Sequence, residues 1–141
     1  MLRHAIQIVL LAALFAAGDA RAEELKIVVH PDNPVSEVSR SFLREAYLKK
    51  STQWSRGETI RPIDLARKYP VRERFTREVV KKTPAQLKSY WSQQIFSGKG
   101  VPPPEADTTT SVIAYVLANK GAVGYVPADA DTRGAKVVKV K

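Results

Sequence analysis

Residues 107–126, DTTTSVIAYVLANKGAVGYV, decide the fold class of this chain. Ile113, Val116 and Leu117 repeat at i, i+3 and i+4, and Gly121 follows Lys120 as a stop, so a short amphipathic helix is predicted. Ala122-Val123-Gly124-Tyr125-Val126 then reads as a buried strand. Thr108, Thr109, Thr110 and Ser111 stand at the helix start, where backbone N–H groups lack partners. Hydroxyls there either cap the helix or help to hold an anion.

Upstream, Pro102, Pro103 and Pro104 form a stiff extended connector. It follows the clearest helix start in the chain, Thr83-Pro84-Ala85-Gln86, a capping box with proline at the first helical position. Leu87, Tyr90, Trp91, Gln94 and Ile95 continue at helical spacing until Gly98 and Gly100, and Tyr90, Trp91 and Phe96 are expected to be core. An earlier helix begins at Pro70, with Val71, Phe75 and Val79 as its apolar stripe and Arg72, Arg74 and Arg77 pointing mostly elsewhere. Residues 59–63 alternate around Pro62, which lacks a backbone donor, so an edge strand is predicted.

Residues 25–29, LKIVV, are β-branched and predict the first strand, closed by the turn HPDNP at 30–34. Ser36 and Ser39 are candidate N-caps for a helix whose buried face holds Phe42, Leu43, Ala46 and Tyr47. A polar turn follows, anchored by Trp54. Residues 136–140, KVVKV, predict a half-exposed last strand. Strand, helix, strand, three helices, strand, strand is a mixed α/β order, with a small sheet flanked by helices.

The first 22 residues read as a secretory signal peptide, with Arg3, an apolar run at 6–17 and the Ala20-Arg21-Ala22 cleavage signal. Domain boundaries follow as 1–22 for the leader and 23–141 for one domain. No other stretch is long and apolar enough for a membrane helix. The expected location is periplasmic. Without cysteine the chain has neither disulfides nor thiolate metal sites.

The whole chain carries +9; removing Arg3, Arg21 and Asp19 leaves 21 basic and 13 acidic residues, a net +8. Much of the surplus is local, with 13 Lys or Arg against 5 Asp or Glu from residue 40 to residue 82. Such a region attracts anions or simply stays solvated. Export disfavours nucleic acid as the partner.

Catalytic patterns are scarce. After the leader there is one histidine, His30, in a proline-bounded turn, and no G-x-S-x-G elbow, phosphate loop or paired-carboxylate signature accompanies it. An enzyme is not expected, and no cofactor or metal is implied. Three places remain for anion recognition: Ser36 with Ser39, Arg72 with Arg74, and Thr108 to Ser111. Each also has a plain capping or solvation reading.

The order of motifs resembles the phosphate-binding, or substrate-binding, proteins of phosphate ABC transporters. The resemblance rests on Trp54-x-x-Gly57, Arg72-x-x-Phe75, Phe96-x-Gly98 with its prolines, and the GAVGYV run at 121–126, and it covers nearly all of residues 23–141. It implies a type 2 periplasmic-binding-protein-like fold, of which this chain supplies about one lobe. It also implies a non-enzymatic, exported solute-binding-like role for phosphate or a similar oxyanion, with an ABC transporter permease or envelope protein as partner. Arg72 matches the arginine of the family's Ser-Gly-Thr-Arg signature, preceded here by Tyr69-Pro70-Val71. The alternative is an accessory envelope protein that keeps the fold without the small ligand.

Overall fold

Two apolar runs far apart in the sequence pair at the centre of the sheet. In the computed structural model, which describes residues 24–141, strand β1 (Leu25–Val29) lies antiparallel to β6 (Ala122–Pro127), with Ile27 opposite Tyr125 and Val28 opposite Gly124. The leader expected at 1–22 lies outside the described residues. On its other side β1 pairs antiparallel with β7 (Lys136–Val140). Two short strands finish the edges in parallel: β2 (Glu37–Val38) on β7 and β3 (Arg61–Pro62) on β6, giving the order β2-β7-β1-β6-β3. This is the mixed sheet with flanking helices that the element order predicts.

Local chemistry explains the edges. Arg61 and Ile63 donate their N–H groups to the Gly121 and Val123 carbonyls, while Pro62, between them, faces the unpaired side where no donor is needed. The predicted strand is thus trimmed to two residues. β4 (Asp64–Leu65) follows at once and leaves the main sheet to pair in parallel with β5 (Glu105–Ala106), which the three prolines deliver already extended. Neither β2, β4 nor β5 is legible as a strand, because two residues carry no alternation.

Helix α1 (Arg40–Tyr47) is capped by Ser39, whose hydroxyl accepts from the Phe42 N–H at 3.0 Å. Ser36 is not a cap; it lies before β2, where its carbonyl accepts from Lys139. Helix α2 (Pro70–Phe75) passes directly into a π-helical segment, Thr76–Val80, which ends in Lys81 with φ 58°. Helix α3 (Pro84–Phe96) has the full capping box, and α4 (Thr109–Ala118) is capped by Thr108. No helix among the described residues is long and apolar enough to cross a membrane.

The core is the predicted one with two corrections. Val71, Phe75 and Val79 are buried as a stripe, but Arg72 is buried with them rather than pointing away. The Leu65 carbonyl and two carboxylates, Asp64 and Glu105, hold it there. Phe96, expected in the core, is 95% exposed and Ile95 is 54% exposed, because α3 packs on the core through Leu87 and Tyr90, nearer its start, and the Tyr90 hydroxyl donates to the Leu48 carbonyl. Each side chain that is fully buried contributes about 1.5–3 kcal/mol by area, an upper figure.

Two glycines in the deciding stretch are fixed by close approach. A Cβ at Gly124 would meet Val112 of α4 at 2.8 Å, and one at Gly121 would lie 1.9 Å from the Thr59 carbonyl oxygen. Gly121 also offers its carbonyl to the Trp54 indole N–H at 2.9 Å. The Gly121→Ala substitution must push backbone from backbone, and we expect a loss of about 3 kcal/mol or more in urea unfolding at unchanged slope. A loss below about 0.5 kcal/mol would contradict this packing.

Candidate functional site

Burying a guanidinium requires acceptors all round it, and the short strands β4 and β5 supply them. Tyr69 is held extended before Pro70, as a residue preceding proline should be, and this starts α2 two residues before Arg72. Arg72 Nη1 donates to the Leu65 carbonyl at 2.8 Å and to Glu105 Oε2 at 3.0 Å. Its Nε lies 3.4 Å from Asp64 Oδ1. The side chains of Arg72 and Asp64 are only 11% and 15% exposed, whereas Glu105 is 45% exposed. One carboxylate is therefore sealed in and the other is half in water.

Two tyrosines complete the constellation. Tyr125, projecting from central strand β6, donates to Asp64 Oδ1 and accepts from the Leu65 N–H at 3.2 Å. Tyr47 donates to the Ile63 carbonyl at 2.8 Å, with the Val123 carbonyl at 3.2 Å. Their rings cluster with Phe75: Phe75 stacks on Tyr125 at 4.0 Å and meets Tyr47 edge-on at 4.6 Å, with the two tyrosines 5.9 Å apart. The polar atoms thus sit on an aromatic floor.

Burial sets the protonation states. Desolvation, reinforced by Asp64, pushes both Tyr47 and Tyr125 far above the ordinary phenol range, so both remain donors at physiological pH. Desolvation also raises Asp64 from its ordinary 3.8, against the opposing pull of Arg72 and the Tyr125 hydrogen bond. For Arg72 desolvation alone would lower the pKa, but Asp64, Tyr125 and Glu105 outweigh it and the guanidinium stays charged.

Arg72 reaches the wall of an open groove with a volume of about 1040 Å³, formed by α2, the π segment and the start of α3. A second groove of about 300 Å³ adjoins it, lined by Ser39, Arg44 and Lys141 among others. The structure brings Arg72 into the larger groove and Ser39 into the smaller. Arg74 pairs with Glu78 at 3.0 Å and lines neither. Thr108 accepts from the Ser111 N–H at 3.1 Å, and its hydroxyl lies 2.9 Å from that of Ser111. Thr109 and Thr110 follow in the first turn of α4, and none of these four residues lines either groove. Among the described residues no cluster of three or more His, Asp or Glu could hold a metal.

Asp64, Glu105, Tyr47 and Tyr125 are the residues that sequence reasoning missed. A weak signal was present: Asp64 stands between the apolar residues Ile63 and Leu65, and Tyr125 carries a hydroxyl into an otherwise apolar strand that must bury it.

No family model matches the sequence, and no curated protein matches it. Solved structures do. A phosphate ABC transporter substrate-binding protein with bound phosphate from Clostridium perfringens superposes with a TM-score of 0.64 at 21% identity, covering 82% of this chain and 44% of that one. An ABC-type phosphate transport receptor from Vibrio cholerae gives 0.66 at 19% identity, covering 82% and 45%. PstS from Borrelia burgdorferi gives 0.60 at 12% identity, covering 83% and 47%. The chain therefore has the fold of these substrate-binding proteins, and it spans less than half of their length.

The raised Asp64 pKa has a thermodynamic sign. The folded protein holds this proton to higher pH than the unfolded chain does, so Asp64 favours folding most below 3.8 and that contribution is lost as pH rises through its folded value. Urea midpoints of wild type and Asp64→Asn, measured from acid to neutral pH, should show wild type losing stability relative to the variant in the window above 3.8. A pH-independent difference would rule out a raised carboxyl.

Proposed function

We propose that this chain is an exported, non-enzymatic domain of substrate-binding fold, linked to phosphate transport, that takes phosphate or a similar oxyanion at Arg72. The observation that carries this reading is the Glu105 carboxylate on Arg72 Nη1 at 3.0 Å. A carboxylate oxygen on a buried guanidinium occupies the position that an oxyanion oxygen would take. Asp64 is sealed in and fixes the guanidinium edge; Glu105 is half exposed on a two-residue strand and is the group that can leave. A ligand must compete with this tethered carboxylate in an open groove, so its affinity is modest. The relatives' names support phosphate as the first anion to try.

A second reading is an accessory envelope protein that keeps the fold and has lost the small ligand. What favours it is the charge count around Arg72, one guanidinium against two carboxylates, which repels a further anion. Calorimetric titration with phosphate, sulfate and molybdate separates the readings. On the first, wild type binds weakly and Glu105→Gln, which removes the competing charge, binds about tenfold tighter, or about 1.4 kcal/mol. Absence of binding heat in both proteins at millimolar anion would leave only the second reading.

A further inference from the structure

The larger groove is far roomier than one tetrahedral oxyanion requires; its volume of about 1040 Å³ stands at the upper end for a drug-sized ligand. Six basic and two acidic residues line it. Arg72 is neutralised by Asp64 and Glu105, and Arg77 lies 3.5 Å from Glu73 and 4.0 Å from Glu78. That leaves Arg40, Arg67, Lys81 and Lys82 without an acidic partner among the described residues. Lys82 instead lies over the Tyr90 ring at 5.3 Å. Arg40 and Lys81 line both grooves, so the two open spaces adjoin as one basic track along the surface.

The backbone of that track is unusual. Its wall is a five-residue π-helical segment ending in Lys81 at φ 58°, a left-handed conformation that a lysine adopts at a cost. Lys49, just past the end of α1 at φ 56°, and Arg133 at φ 49° share this conformation. Lys81 puts a cation where the two grooves meet.

We propose that this track docks an extended, Asp- and Glu-rich polypeptide segment of another protein. The proposal goes beyond the oxyanion reading, since it uses cations other than Arg72. Charge complementarity selects an acidic ligand, and the shape selects a chain rather than an ion. Two further features select polypeptide over a uniform polyanion. Glu73 and Glu78 on the wall, already paired with Arg77 and Arg74, break up the positive face, which suits a chain with spaced charges better than one charged at every unit. Leu87 and Pro84 offer apolar contact that inorganic polyphosphate cannot use.

Fluorescence anisotropy of the purified chain with a labelled twelve-residue Glu-Asp-Leu repeat tests this. Saturable binding is expected, weakened at least about tenfold between about 50 and 300 mM salt as the exposed charges are screened. Arg40→Glu with Arg67→Glu should abolish it, since both residues are exposed and neither is in the core. Lys120→Glu with Lys139→Glu makes the same charge change outside both grooves and should bind as wild type does. Should the first pair unfold in a melting curve, Lys81→Asn carries the test: asparagine tolerates the left-handed backbone and removes the charge, and binding should fall severalfold. Equal loss in the control pair, no saturable peptide binding, or tight binding of polyphosphate or anionic vesicles without the peptide would each overturn the proposal. Phosphate heat in Glu105→Gln without peptide binding to the wild type, or peptide binding without phosphate heat, shows that this proposal and the oxyanion reading fail separately.

Discussion

The contact on which the structure depends is the buried pair of Arg72 and Asp64. Neither charge survives burial alone, and each is placed by a different part of the chain, α2 for the arginine and the short strand β4 for the aspartate. Such pairs add little net stability compared with an apolar replacement, but they leave few alternatives for the elements that carry them. Arg72 also holds the Leu65 carbonyl and Glu105, so one side chain ties α2 to both strands of the small sheet. Tyr125 fastens the same aspartate to β6, an interior strand of the main sheet.

That arrangement explains why two-residue strands persist at all. β4 and β5 make few ladder bonds, and polar groups of β4 and the residue before it are taken up by side chains: Tyr47 at the Ile63 carbonyl, Tyr125 at Leu65 N–H, Arg72 at the Leu65 carbonyl. Proline stiffness on one side and buried hydroxyls on the other do the work that length does elsewhere. The aromatic stack beneath them keeps water from competing.

Legibility in the sequence followed the range of the interaction. Ser39, Thr83 and Thr108 cap their helices through partners three residues away, so the spacing alone reveals them. The Val71, Phe75, Val79 stripe was visible for the same reason. Arg72 was misjudged because its carboxylate partners are 8 and 33 residues away and nothing local announces them. Phe96 was misjudged in the opposite direction: an aromatic at helical spacing looks like core, yet whether α3 has a neighbour along its whole length is a tertiary matter. The match to the solved structures spans less than half of their length, and the outer part of α3 is exposed.

The sequence by itself determined the helix starts, the two central strands, the glycine positions in residues 121–126 and the excess of positive charge, because each follows from residue type and near-neighbour spacing. Tertiary structure decided which charges are spent and which are free. Arg72 is neutralised inside the domain, and Arg40, Arg67 and Lys81 are left facing an open groove. Coulomb energy depends on separation in space and on the surrounding medium, and neither is written in the order of the residues.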